Sequence, residues 1–323
     1  DIKGPVERFN AAQAMHYLEG TLDECEGQVR NSPLHRPFTA KELKAVCSSL
    51  KNGRAAGDDR ILNEMIKYSG EQARGWVLKL ANKCWEAETH PTSWRQGRVS
   101  CIYKNKGLQQ DWNNYRYIVV TSALAKVYEK LVDRRIRSIL DSGGGHTWAE
   151  TQGGFRHKRG CPEQVWLLRQ LIADRFQQQR PGKAPGKPLY VAFVDLWKAF
   201  PSANRNSVLH LMTEVDLKGR LWRVVRDMGL GLTNYITFAG VRSEPYKVTQ
   251  GLREGSVLSP TLFLVVIDPL IKLLEERGLG SVLKTPDGET HWLGALCFAD
   301  DIALCADSPE QLQQMLDVLS EFA

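Results

Sequence analysis

No close C-x-x-C pair occurs among the seven cysteines, Cys25, Cys47, Cys84, Cys101, Cys161, Cys297 and Cys305. An odd, scattered set argues against a disulfide framework and against a zinc site, and it fits a reduced, intracellular compartment, nuclear or cytoplasmic. The thiols read as small core hydrophobes. Long apolar runs are missing too. The longest, near Leu262 to Ile267, is far too short to cross a bilayer, so no membrane partner is expected. The start, Asp1-Ile2-Lys3-Gly4-Pro5, has no apolar core and no initiator Met. It does not resemble a secretory signal, and we read it as an excision boundary. There is no internal repeat and no Gly-rich nucleotide fingerprint, which argues against a doubly wound sheet.

What is present is an ordinary globular composition. Of 323 residues, 42% are hydrophobic and 25% charged, enough for one large domain or two to three subdomains with a buried core. The net charge of +6 is less informative than its distribution. Arg98, Lys104, Lys106, Arg116, Lys126, Lys130, Arg134, Arg135 and Arg137 face only Asp111, Glu129 and Asp133 in the same stretch. A second run holds Arg156, Lys158, Arg159, Arg169, Arg175, Arg180, Lys183 and Lys187. Such clusters suit a polyanion partner or solvated helix faces.

Periodicity supplies the elements. Thr39-Ala-Lys-Glu42 is a capping box, followed by Leu43, Val46, Cys47 and Leu50 at helical spacing. Helices follow near Ile61–Tyr68 and Val77–Glu88. Val99–Tyr103 and Tyr117–Val120 are strands joined by a polar loop, and Thr121 or Ser122 caps a long helix. Ser142-Gly-Gly-Gly145 breaks the chain, Val165–Gln179 is helical, and Gln177–Pro188 is an exposed loop. Leu189–Val194 reads as a buried strand, and Ile236–Phe238 and Tyr246–Thr249 as short strands. Ser259-Pro260 opens a buried helix that ends at Gly278. A strand through Leu293–Ala299, the pair Asp300-Asp301, a strand Ile302–Ala306 and a helix capped by Ser308-Pro-Glu-Gln311 complete an α+β pattern.

Two acidic sites each follow an apolar strand: Val191-Ala-Phe-Val-Asp195 and Leu296-Cys-Phe-Ala-Asp300-Asp301. Adjacent carboxylates in a tight turn repel one another unless a cation neutralises them, and Mg²⁺ takes oxygen ligands of this kind. Asp195, Asp300 and Asp301 are therefore candidate holders of two metal ions. Taken alone, Asp300-Asp301 would equally suit a plain hairpin turn.

The order of segments resembles the reverse transcriptases. Phe193-Val-Asp195-Leu-Trp-Lys-Ala-Phe200 resembles their motif A, Gln250-Gly251-Leu-Arg-Glu-Gly255-Ser-Val-Leu-Ser-Pro260 their motif B, and Phe298-Ala-Asp300-Asp301 their motif C. Upstream, Asn114-Tyr115-Arg116 resembles N-Y-R-P-I-S, and Gln152-Gly-Gly154-Phe155-Arg156 resembles Q-x-G-F-R. Lys51-Asn-Gly-Arg-Ala-Ala-Gly57-Asp58 resembles the opening K-x-x-K-A-P-G-x-D of non-LTR (LINE-like) retrotransposon enzymes. The matches run from about Glu42 to about Phe322.

The resemblance implies an RNA-directed DNA polymerase with a right-hand fold. A 1–70 extension with the opening motif would precede fingers at 71–188 (with part of 205–249) and a palm at 189–323; a thumb is not expected in this chain. It implies RNA template, DNA primer and dNTPs as partners, and two Mg²⁺ ions, with Mn²⁺ as a substitute. Asp195, Asp300 and Asp301 would be catalytic metal ligands. Phe200 would be a steric gate against a 2′-hydroxyl, or ordinary core packing. Arg116 would grip the triphosphate. Lys104 would assist as a point charge, or simply lie on the surface. Gln250 and Gly251 would border the nascent base pair. Gly154, Phe155, Arg156 and Gly255 would contact template or primer, with a purely structural Arg156 as the alternative. Tyr117-Ile118-Val119 departs from Pro-Ile-Ser, and Pro201 stands where an Asp is common. The alternative functions are a domesticated or group II intron-type relative, an RNA-dependent RNA polymerase, and a catalytically silent RNA-binding module.

Overall fold

A computed structural model of the chain describes residues 35–141, 146–178, 188–285 and 287–322. The expected break at 142–145, residues 179–187 of the expected loop, and Cys25 lie outside these ranges.

In chain order the elements are α1 (Ala40–Ser48), α2 (Asn63–Lys67), α3 (Glu71–Ala87), β1 (Gln96–Tyr103), β2 (Tyr115–Val120), α4 (Ala123–Leu140) and α5 (Cys161–Gln178). Then come β3 (Tyr190–Asp195), α6 (Ala199–Ser202), α7 (Arg205–Glu214), α8 (Gly219–Gly229), β4 (Thr233–Phe238), β5 (Val241–Arg242) and β6 (Tyr246–Lys247). The last are α9 (Ser259–Glu276), β7 (Val282–Lys284), β8 (Thr290–Trp292), β9 (Ala295–Phe298), β10 (Asp301–Ala306) and α10 (Pro309–Phe322). No described helix is long and apolar enough to cross a membrane.

The caps behave as local chemistry dictates. The Thr39 side chain accepts from the Glu42 N–H, and Glu42 accepts from the Thr39 N–H at 2.7 Å, a reciprocal box. Ser122 caps α4 through the N–H groups of Leu124 and Ala125. At α10 the box is shifted. Ser308 accepts from the Gln311 N–H at 3.1 Å, but the Gln311 side chain accepts from Asp307, one residue before the cap.

The chain divides into two compact units. One comprises Thr147–Ala199 and Phe263–Ala323, and the other lies within His16–His146 and Phe200–Leu262. In the first, β3, β10 and β9 form an antiparallel sheet in that order. Helix α10 packs against β10 and β3. Leu171 of α5 closes a small core with Leu293, Leu296 and Cys305. Most apolar residues of α9 are buried, as its all-round hydrophobicity requires, and Pro269 is accommodated inside the helix. The β7–β8 hairpin, with Val282 opposite Trp292, has strands of three residues, too short for an alternation signal.

One expectation fails here. Leu189–Val194 is not a buried strand: β3 begins at Tyr190, includes Asp195, and leaves Phe193 78% exposed. The reason is position. β3 is an edge strand paired only with β10, so an apolar run does not imply cover on both faces.

In the second unit, β2, β1, β4 and β5 follow one another, with β6 also paired to β4. The β1–β4 pair is parallel and the others are antiparallel. Helix α1 packs on α3 and α4. The rings of Phe38 and Trp85 lie 5.0 Å apart, and those of Trp94 and Tyr128 6.0 Å apart. Helices α7 and α8 are additions to the elements expected from periodicity. Asn204 caps α7, Val208, Leu209 and Met212 are buried, and Trp222 of α8 donates to the Leu209 carbonyl at 2.8 Å.

The first basic run is largely structural. Arg135 is 5% exposed, with its guanidinium 4.1 Å from the Phe38 ring centre; it donates to Glu42 and to the carbonyls of Arg36 and Pro37. Arg137 pairs with Asp133, and Arg98 donates to the Ala56 carbonyl. Burial pulls the Lys126 and Lys130 ammonium groups below their usual range.

Candidate functional site

The β3–β10 register places Asp195 directly opposite Asp301 at the end of the ladder. Cross-strand partners hold their Cβ atoms roughly 5 Å apart. Asp301 is also opposite Phe298 of β9, which leaves Ala299 and Asp300 as a two-residue hairpin loop. Short hairpins of this kind call for a positive φ, and Ala299 supplies it at 59°. An L-residue there costs about 1–2 kcal/mol. Asp300 is thus the only one of the three acids in the turn, while Asp301 opens a strand; the sequence pattern alone places both in the turn. Burial raises the Asp300 carboxyl above its usual range, and the charges of Asp301 and Asp195 push the same way; a backbone N–H bond opposes them. Three acids from two segments, a hundred residues apart in sequence, therefore share one electrostatic environment.

Among the described residues, no group of three His, Cys, Asp or Glu side chains forms a ready metal-binding cluster. Mg²⁺ does not require one. It usually takes one or two carboxylates and completes its octahedron with water and substrate phosphates. The raised Asp300 carboxyl, beside two further acids, fits a cation better than it fits empty solvent.

The segment before α5 lies against this turn. Gly153 donates to the Cys297 carbonyl at 2.8 Å, and Cys297 donates to the Thr151 carbonyl at 2.9 Å. A Cβ on Gly154 would overlap the Ala299 nitrogen. Gly154 is therefore required by packing within the protein itself. Arg156 donates to the carbonyls of Ala149 and Gln152 at 2.9 and 3.1 Å, so its guanidinium has a structural duty. Phe155 is exposed beside it, with φ at 53°.

A second cluster of expected residues forms in the other unit. The Phe200 carbonyl accepts from Leu252 at 2.8 Å, and the Gln250 side chain donates to the Ser202 carbonyl at 3.0 Å. Gly251 has φ 83°, and a Cβ there would overlap the Pro201 carbonyl. The room that glycine leaves at 251 is filled by the protein's own backbone. Arg205 carries no signal in the sequence. Its guanidinium donates to the carbonyls of Gly251 (2.8 Å), Gly229 (2.7 Å), Val248 (3.1 Å) and Gln250 (3.2 Å). Glu129 accepts from the Ser256 hydroxyl at 2.8 Å and from the Val257 N–H at 2.7 Å. Gly255, at φ 98°, abuts the Val119 carbonyl.

On β2 the Arg116 side chain is exposed, with no hydrogen-bond or ion-pair partner among the described residues. Lys104 instead donates to the Asn113 carbonyl at 3.0 Å and closes the β1–β2 connection.

A model of the family described as reverse transcriptase (RNA-dependent DNA polymerase) matches residues 102–323. The RNA-directed DNA polymerase from mobile element jockey of Drosophila funebris is 24% identical over 293 residues, 89% of this chain and 30% of that protein. The probable RNA-directed DNA polymerase from transposon BS of Drosophila melanogaster is 23% identical over 318 residues, 97% of this chain and 33% of its own length. The Pol polyprotein from type-2 retrotransposable element R2DM of the same fly is 25% identical over 303 residues, 92% of this chain and 26% of its own. The chain spans about a third or less of each of these relatives.

Proposed function

This chain belongs to the reverse transcriptase family, in its non-LTR retrotransposon (LINE-like) branch, and from that premise we propose that it copies RNA by adding dNMP to a DNA primer 3′-hydroxyl. The observation that carries the reading is the ladder register that sets Asp195 against Asp301, one residue from Asp300. Enzymes of this family generally use divalent metal ions. Two Mg²⁺ ions, or Mn²⁺ in their place, would supply activation of the primer hydroxyl and stabilisation of the leaving pyrophosphate.

The protein's own groups do the rest. Asp195, Asp300 and Asp301 would hold the cations at the end of the β3–β10 ladder. Arg116, exposed and unpartnered among the described residues, presents a forked guanidinium to the dNTP triphosphate. Lys104, tied to Asn113, supports the loop beside it more than the substrate. Phe200 excludes a 2′-hydroxyl by volume, and its backbone carbonyl is tied to the Leu252 N–H. Gln250 and Gly251 complete that ledge, and Gly154, Phe155, Arg156 and Gly255 shape the path of template and primer. The three-stranded sheet is the centre of a palm, and the five-stranded sheet the centre of fingers. Action on RNA is set inside the cell, in nucleus or cytoplasm.

Primer extension on an RNA template, at saturating duplex, tests the reading. Extension by the protein and none by Asp195→Ala is expected. Equal extension by both overturns the assignment of the acids, and none by either while duplex is still bound overturns the polymerase reading in favour of a silent RNA-binding module. Phe200→Ala should admit rNTPs; unchanged discrimination removes the gate.

A further inference from the structure

Gln152 is fully buried, at 0% exposure, and its amide reaches the turn that carries the acids. Its Oε1 accepts from the Ala299 N–H at 2.9 Å and from the Gly154 N–H at 2.8 Å. Its Nε2 donates to the Ala299 carbonyl at 3.4 Å. One side-chain amide thus faces both polar groups of a single backbone residue, as a neighbouring strand would. Gln152 is itself anchored, because its backbone forms a parallel bridge with Cys297 of β9.

The residue it holds is the one with positive φ, immediately before Asp300. A residue in the left-handed region persists only where its surroundings over-determine it. Gly154 brings the loop close enough for the contact, since any side chain at that position would collide with Ala299. The clamp is neutral, so it neither pairs with the acids nor competes for a cation they hold.

We propose that Gln152 is a positioning residue that fixes the Ala299–Asp300 turn, and with it the geometry of Asp300 and Asp301 against Asp195. The proposal rests on the polymerase reading of those three acids. Two substitutions show why glutamine is needed. A methionine fills the volume but leaves two buried N–H groups without an acceptor. An asparagine keeps the amide but withdraws it by one methylene.

Groups that orient metal ligands typically alter metal affinity or activity by about 10- to 100-fold when lost. Gln152→Met should therefore lower kcat by about that factor and raise the Mg²⁺ concentration for half-maximal rate. The KM for dNTP should stay within about twofold, because no substrate contact is removed. Mn²⁺ binding, read by electron paramagnetic resonance without turnover, should weaken in parallel. Adding Ala299→Gly to Gln152→Met should recover part of the loss, since glycine accepts the positive φ without a clamp. A merely structural glutamine gives no such rescue. If the Met variant does not fold, Gln152→Asn is expected to fold and to shift metal dependence in the same direction.

Asp195→Ala separates the two ideas. If it is inactive while the folded Gln152 variants keep wild-type kcat and metal dependence, the positioning role is wrong. If Asp195→Ala matches wild type, the polymerase reading itself fails.

Discussion

Around the Ala299–Asp300 turn the clamp is a neutral amide, whereas around Gln250–Gly251 it is a guanidinium. Gln152 and Arg205 play the same part, since each ties backbone groups of a loop that carries expected site residues. Their surroundings explain the different choice. Asp195, Asp300 and Asp301 lie together, and a guanidinium there would pair with them and displace any bound cation. Gln250 and Gly251 offer carbonyls without carboxylates, and five N–H donors in one plane can reach four of them. The charge of a clamp is thus set by what the loop must leave unneutralised.

The largest effects should come from breaking this arrangement at the acids. Asp195→Asn should reduce primer extension by about 10³-fold or more, since it removes an anionic ligand without changing shape. Its thermal unfolding should not fall, because one member of a repelling cluster is gone; a marked loss of Tm would mean that the carboxylate is structural. Gln152→Lys, which places a cation beside the acids, should inactivate the protein while Arg205→Gln does not. Next comes Arg205→Ala. It leaves four carbonyls, most of them half-buried, short of a donor and should cost about 2–4 kcal/mol in urea unfolding. The KM for dNTP should rise with it, because Gln250 and Gly251 lose their anchor. A loss below about 0.5 kcal/mol, the usual scale of a surface change, would show that the guanidinium is not a clamp.

Why the acids were legible in the sequence and the clamps were not follows from the physics of each. Asp195 and Asp300-Asp301 follow apolar runs of strand character, so their strands could be read locally. The register that pairs Asp195 with Asp301 is a tertiary fact, and only the family resemblance supplied its outline. Gln152 stands inside a recognisable motif, but nothing local says that a glutamine side chain will bond a residue 147 positions away. Arg205 looks like one more basic residue. Formal charge is in fact a poor guide throughout: Arg135, Arg98 and Lys104 sit in the expected polyanion stretch, yet each is committed to groups within the protein, and Arg116 is left exposed. The β7–β8 hairpin is invisible because three-residue strands carry no period, and β3 is misjudged because an edge strand and a central one have the same composition.

A smaller effect is expected at Glu129, which accepts hydrogen bonds from the motif in the same unit where Arg205 donates them. Burial pushes its carboxyl above the usual range, against two hydrogen-bond donors that pull it down. The fold therefore favours the protonated form. Its contribution falls as pH rises from the unfolded value, about 4.3, through the higher folded value. Glu129→Gln keeps an acceptor for Ser256 and Val257 and removes the charge. It should change stability by about 1 kcal/mol or less at acid pH and flatten the decline above it. A steeper decline in the variant would mean that the charge is stabilising, with Arg253 and Lys126 as its partners.

The smallest effects are rates of thiol labelling, which read the two units separately. Cys297 is buried in the carboxylate unit and Cys84 in the other, while Cys161 is exposed on α5. Burial lifts the Cys84 thiol to about 11, that of Cys305 to about 12, and that of Cys297 higher still, so each is protonated as well as covered at neutral pH. Alkylation requires the thiolate. Iodoacetamide should therefore modify Cys161 ahead of Cys84 and Cys297, which react only through local opening. Mass spectrometry of the labelled peptides then tests whether each clamp serves its own unit. Gln152→Met should speed labelling of Cys297 and leave Cys84 unchanged, and Arg205→Ala should do the reverse. Equal acceleration of both thiols by either variant would mean that the chain opens as one cooperative body, and that the contrast between a neutral and a charged clamp does not extend to the stability of the regions they hold.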